Sequence, residues 1–258
     1  MGKVVAIANQ KGGVGKTTTA INLGSSLAAA EVSTLVVDVD PQANLTSGLG
    51  LRPKSQNGTI YDVLIDEKPV TSVIVDTSLE HLKAITSERN LTGAEIELVG
   101  ESRREFRLKD VLAPVVSNYD YVLIDCPPSL GLLTVNALVA ADSVLIPLQC
   151  EFFALEGVSE LMSTVERIQQ SFNPGLTVEG ILLTMYDERT NLSTQVIDDV
   201  RKHFRGAVFE SVVPRNIRLA EAPSHGEPIL LYDIRSKGAE AYLSLTKEIL
   251  KHETQSAR

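Results

Sequence analysis

Two unbroken apolar runs joined through a glycine-rich stretch constrain the fold more than any other feature. Val4-Val5-Ala6-Ile7-Ala8 offers no polar residue to either side, as a parallel strand covered on both faces requires. Residues 16–30 then set Ile21, Leu23, Leu27 and Ala28 at helical spacing, and Leu35-Val36-Val37-Asp38-Val39-Asp40 follows as a second apolar strand. Strand, glycine-rich turn, helix and strand make a βαβ unit, whose crossover is right-handed.

The same alternation continues along the chain. Tyr121-Val122-Leu123-Ile124-Asp125 reads as another buried strand, stopped by Pro127-Pro128, and further strands are expected near 82–86, 143–147, 178–184 and 208–213. Helical spacing marks 60–66, 91–113, 131–140, 154–170, 192–204 and 236–251, while the polar, glycine-bearing stretch 41–58 reads as a long loop. The pattern predicts an α/β fold: a mostly parallel twisted sheet with helices on both faces, forming one domain over residues 1–258.

Composition narrows the class. The start Met1-Gly2-Lys3 leaves no room for a secretory signal before the first strand, and no run of 18 apolar residues exists to span a bilayer. Cys126 and Cys150 lie in apolar surroundings and form no CxxC, and the four histidines make no ligand-spaced set, so buried thiols in a reducing cytosol are expected. The net charge of −9 is unevenly spread. Residues 1–180 hold 13 Lys+Arg against 22 Asp+Glu, whereas residues 181–258 hold 11 of each, so a local basic face can form in the last third.

Between the first strand and first helix lies Gln10-Lys11-Gly12-Gly13-Val14-Gly15-Lys16-Thr17-Thr18. Its glycines let successive N–H groups converge on phosphate oxygens, and the helix N-terminus adds unpaired donors. Lys16 reaches the β- and γ-phosphates and Thr17 ligates Mg²⁺. The common loop opens with glycine where Gln10 stands, and Lys11 is an added second lysine. Ligands in open α/β sheets collect beyond the carboxyl ends of strands, which directs Asp38, Asp40 and Asp125 toward this loop. Asp125 is the Walker B residue, holding the ion through water; Asp38 stands nearer the metal shell, and Asp40 is placed to position an attacking water.

Lys11 to Thr18, Asp38-Val39-Asp40-Pro41-Gln42, Asp125-Cys126-Pro127-Pro128-Ser129-Leu130-Gly131, residues 184–192 and Pro214 to Gly226 together resemble the chromosomal ParA/Soj partition ATPases, a deviant Walker A branch of the P-loop proteins. The likeness runs from about residue 3 to about 250 and lacks the N-terminal helix-turn-helix extension of the plasmid type. It implies an ATP-dependent homodimer in which Lys11 reaches the partner's phosphates while Lys16 serves its own. It also implies that Met185, with its neighbours in 184–192, and Pro214, Arg215 and Asn216 wall the adenine. Sequence-independent binding of the ATP dimer to double-stranded DNA follows from the resemblance, as does a ParB-type centromere-binding partner that stimulates hydrolysis, in the cytoplasm and on the nucleoid. Arg189, Arg201, Lys202, Arg205, Arg215, Arg218, Arg235 and Lys237 are candidate phosphate contacts, and the resemblance favours Arg189 and Arg218.

Three rivals are weaker. A membrane-bound MinD-type regulator needs an amphipathic basic terminal helix, but the tail His252–Arg258 has no bulky apolar residue. An ATP-using amidation enzyme of the cobyrinic-acid type wants an added glutaminase domain or an acceptor pocket, and 258 residues leave no room for the former. An iron–sulfur carrier wants a paired cysteine motif, which Cys126 and Cys150 do not supply.

Overall fold

The computed structural model describes residues 2–52, 57–151 and 154–256. The part of the expected 41–58 loop at 53–56, and the tail residues Ala257 and Arg258, lie outside them. Eight strands form one sheet in the order β3-β4-β2-β5-β1-β6-β7-β8. They are β1 (Lys3–Ile7), β2 (Thr34–Asp38), β3 (Ile74–Asp76), β4 (Leu82–Ile85), β5 (Tyr121–Asp125), β6 (Ser143–Gln149), β7 (Thr177–Tyr186) and β8 (Val208–Pro214). Every pairing is parallel except that of the edge strand β3 on β4. The chain steps outward from β1 in both directions, so the crevice beyond the end of β1 is the switch point where ligands bind.

Alternation along the strands builds two apolar layers. Val4 and Ala6 of β1, with Val122 and Ile124 of β5, face a core closed by α5 (Arg107–Val116), α6 (Leu132–Ala140), α7 (Ala154–Ser171) and α8 (Asn191–His203). Val5, Ile7 and Leu123 face the opposite layer, closed by α1 (Lys16–Ala29) and α11 (Lys237–Ser256). Leu23, Leu27, Tyr242 and Leu245 are fully buried there, each contributing about 1.5–3 kcal/mol of apolar burial. Both faces covered is why the central strands tolerate continuous apolar sequence.

Several boundaries depart from the sequence reading. The stretch 41–58 contains a five-residue helix, α2 (Asn44–Gly48), and is followed by α3 (Ile60–Leu64). The single helix expected over 91–113 divides into α4 (Leu91–Glu97) and α5, with short 3₁₀ turns between them and Arg103 in the left-handed region at φ 56°. Strand β2 stops at Asp38, so Asp40 stands in the turn beyond it. The edge strand β3 and the short helices α9 (Ile217–Glu221) and α10 (Ile229–Tyr232) carry too few residues for periodicity to register.

Candidate nucleotide site

The loop between β1 and α1 is held open by two glycines. Gly13 and Gly15 adopt φ of 77° and 95°, a left-handed conformation that side chains resist, and Gly15 caps α1. Asn9 ties the loop to the sheet: its Nδ2 donates to the Pro147 carbonyl at 2.8 Å, and its Oδ1 accepts from the Lys11 amide at 3.0 Å. The Thr184 hydroxyl donates to the Val14 carbonyl at 2.8 Å.

The two loop lysines are treated differently. Lys16 is buried and donates to the Lys11 carbonyl at 3.0 Å. Burial draws its pKa below that of a free lysine, against the opposing pull of Asp125, Cys126 and Asp40. The Lys11 side chain points outward, 47% exposed, and is ion-paired with Glu151 at the end of β6.

Three carboxylates face this loop. Asp38 and Asp125 are register partners on adjacent strands, and both are fully buried. Neither oxygen of Asp125 makes a hydrogen bond of good geometry. Burial, and then the Asp38 charge, push its carboxyl well above the usual range, while the Thr17 hydroxyl and Lys16 pull it down. Asp38 is better satisfied: Oδ2 accepts from the Thr46 amide at 2.9 Å and the Thr46 hydroxyl at 2.7 Å, and Oδ1 accepts from the Asp40 amide at 3.2 Å. Burial outweighs these bonds and lifts its pKa to about 7. Asp40 is 6% exposed, and its Oδ1 accepts from the Gln42 amide.

These groups fit Mg²⁺. A buried carboxylate without donors, beside a threonine hydroxyl and a second carboxylate, is costly unless a cation compensates it. Among the described residues no group of three or more His, Cys, Asp or Glu is arranged to hold a metal ion by itself. That suits an ion that keeps water and substrate phosphate in its shell.

Next to the loop lies a cavity of about 270 Å³. All four expected adenine contacts, Met185, Pro214, Arg215 and Asn216, line it, together with Gly15 and Thr18 of the loop. Met185 is held at φ 53°, a left-handed strain for a residue with a side chain, where β7 ends. Asn216 also caps α9 by accepting from the amides of Arg218 and Leu219. Sequence reasoning missed Tyr242, which comes from α11 to line the same cavity and lies 3.2 Å from the Thr19 hydroxyl. A tyrosine in an amphipathic stripe carries no signal of that use.

The family model described as an AAA domain matches residues 2–178. The chain is 56% identical over 254 residues to the chromosome partitioning protein ParA of Myxococcus xanthus, covering 98% of this chain and 90% of that protein. It is 57% identical over 249 residues to the sporulation initiation inhibitor protein Soj of Bacillus subtilis, covering 96% and 98%. The chain belongs to the ParA/Soj family. As a member of that family of P-loop proteins it is an ATP- and Mg²⁺-dependent ATPase of chromosome partitioning. The crystal structure of cobyrinic acid a,c-diamide synthase from Mycobacterium smegmatis, with bound ATP analog and magnesium, superposes with a TM-score of 0.87 at 38% identity, covering 100% of this chain and 98% of that one. Its identity falls well below that of the two partition relatives, so the metabolic rival stays the weaker reading.

The basic residues of the ParA/Soj-type last third do not form one patch. Lys237, at the start of α11, pairs with Glu188, and Arg218 pairs with Glu221 at 3.0 Å and Asp233 at 3.6 Å. Arg189 grips Asp187 through two bonds of 2.7 and 2.8 Å while remaining 80% exposed. Arg189, Arg218, Arg235 and Lys237 therefore gather near the carboxyl edge of the sheet. Arg201, Lys202 and Arg205 sit at the far end of α8, roughly 20 Å away along a 13-residue helix. Among the described residues no helix is long and apolar enough to cross a membrane.

Proposed function

We propose that the chain, acting as one ATPase domain, is a two-state switch: ATP joins two copies, the pair binds duplex DNA without reading its sequence, and hydrolysis releases it. The observation that carries this reading is the division of labour between two lysines of one loop. Lys16 is buried against its own loop, whereas Lys11 projects outward to Glu151. A cation turned away from its own phosphate loop is suited to the phosphates of a second copy.

In this reading Lys16 and the amides of residues 12–18 hold the β- and γ-phosphates and fix their direction. Thr17 and Asp125 would hold Mg²⁺, which would supply positive charge against the negative charge that builds on the phosphate oxygens. Asp40 orients water for in-line attack, and Lys11 of the partner subunit completes the charge balance across the interface. Met185 and Pro214 to Asn216 clamp the base, which fixes the far end of the substrate. Arg189, Arg218 and Arg235 supply phosphate contacts to DNA; two copies side by side double that footprint without any base contact. A ParB-type protein at centromere-like sites accelerates hydrolysis, and the cycle runs in the cytoplasm on the nucleoid.

The test is size-exclusion light scattering with ADP, with ATP, and with ATP plus duplex DNA. The expected masses are monomer, dimer and DNA-bound dimer; a monomer in all three conditions would overturn the switch.

A further inference from the structure

A closed ring of hydrogen bonds surrounds the acidic corner. Beyond the bonds from Thr46 to Asp38 and from the Asp40 amide to Asp38 described above, the Ser87 amide donates to Thr46 Oγ1 at 2.9 Å, and the Ser87 hydroxyl donates to the Asp40 carbonyl at 2.8 Å. All four residues are buried. The ring joins the end of β2, helix α2 and the residues just past β4, continuing beyond the last register pair of the β2–β4 ladder, Val37 with Ile85.

Thr46 is the residue on which this ring depends. A hydroxyl has one proton to give, and here it goes to Asp38, while a lone pair takes the Ser87 amide, so the group is oriented at both ends. The Asp40 peptide is in turn gripped on both sides, its N–H by Asp38 and its C=O by Ser87. The turn that follows is strained: Ala43 has φ 52°, unfavourable for a residue with a Cβ, and its amide donates back to the Asp40 carbonyl at 2.9 Å. Helix α2 has five residues and no side-chain cap at its first position, too short to hold its own geometry. Its place is set by buried Leu45 and by Thr46.

We propose that Thr46 is a positioning residue for hydrolysis, fixing the Asp38–Asp40 turn so that the Asp40 carboxylate faces the attacking water. This rests on the reading of Asp40 given above. The side chain of Thr46 has no need to touch ATP; it acts through the direction of Asp40, and a displacement of about 1 Å at a reacting group is enough to cost a large factor in rate.

The experiment compares Thr46→Val, which keeps the shape and removes the hydroxyl, with Thr46→Ser, which keeps the hydroxyl. Single-turnover phosphate release and light scattering of the ATP-bound form are followed in each, beside Asp40→Ala. Thr46→Val is expected to lower kcat about tenfold or more with KM within about threefold, and its ATP dimer should outlast that of the unmodified protein. Thr46→Ser should restore kcat to within about twofold. General structural damage would shorten the dimer lifetime instead. If Thr46→Val does not fold, Thr46→Ala, which cannot crowd the site, takes its place with the same expectations. Wild-type kcat in the hydroxyl-free variant, or a rise in KM alone, overturns the assignment. Should Asp40→Ala itself hydrolyse normally, the reading of Asp40 falls and Thr46 with it; an inert Asp40→Ala beside a normal Thr46→Val sinks the role of Thr46 only.

Discussion

Asp38 and Asp125 sit side by side as register partners on adjacent parallel strands, both fully buried, yet Asp38 is held by three donors and Asp125 by none. Two carboxylates so close cannot both carry charge cheaply without a cation. That makes the site destabilising when empty and stabilising when loaded. Asp125→Asn should therefore raise the melting temperature of the nucleotide-free protein, by an amount corresponding to about 1–3 kcal/mol, and abolish the extra stabilisation given by Mg²⁺ with ATP. Thermal melts with and without both ligands decide it; a variant less stable when empty and still stabilised by Mg²⁺-ATP would contradict the assignment.

The two loop lysines should separate cleanly by mutation. Lys16→Ala removes the main cation on the β- and γ-phosphates, and calorimetry with a non-hydrolysable ATP analogue should detect no tight binding. Lys11→Ala should keep that affinity within about threefold and lose ATP-driven dimerisation and turnover. Dimer formation by Lys11→Ala would end the cross-interface role.

Asp40→Ala is expected to bind ATP and to dimerise while hydrolysing at least about a hundredfold more slowly, because the lost group acts on water and not on nucleotide. The DNA-bound dimer should then accumulate. Equal turnover in mutant and unmodified protein, measured with excess DNA, would remove Asp40 from the chemistry.

DNA binding should respond to both members of an ion pair. Arg189→Glu and Arg218→Glu should each weaken binding of the ATP dimer, with ATP affinity unchanged. Each lost contact per protomer should flatten the slope of log K against log salt by about 1.8 for a two-fold dimer. Asp187 now occupies the Arg189 guanidinium, so Asp187→Asn should free it and tighten binding by up to about fivefold. Fluorescence anisotropy of a random duplex across salt concentrations reads all three. An unchanged slope in both arginine variants moves the interface elsewhere, with the basic end of α8 the next place to look.

The chain order of residue types determined a good deal. Continuous apolar runs specify buried parallel strands, and the glycines between the first strand and helix specify a phosphate loop, because both follow from local backbone and burial requirements that neighbours in sequence supply. The P-loop and the carboxylates at the ends of β2 and β5 were legible for that reason, whereas Met185 and Pro214 to Asn216, which line the cavity beside the loop, were pointed to only by the family resemblance. What tertiary structure alone decided is which groups meet across the sheet. Thr46 and Ser87 are 41 residues apart, Thr19 and Tyr242 are 223 apart, and Lys11 and Glu151 are brought together only by the order in which the strands assemble. The division of the basic residues into two groups is of the same kind: Arg189 and Arg201 are near in sequence, but Arg189 precedes α8 and Arg201 lies in its last turn, so the length of the helix separates them. Short elements such as α2 and β3 stayed hidden because a few residues show no period, and their stability comes from long-range bonds that no window along the chain contains.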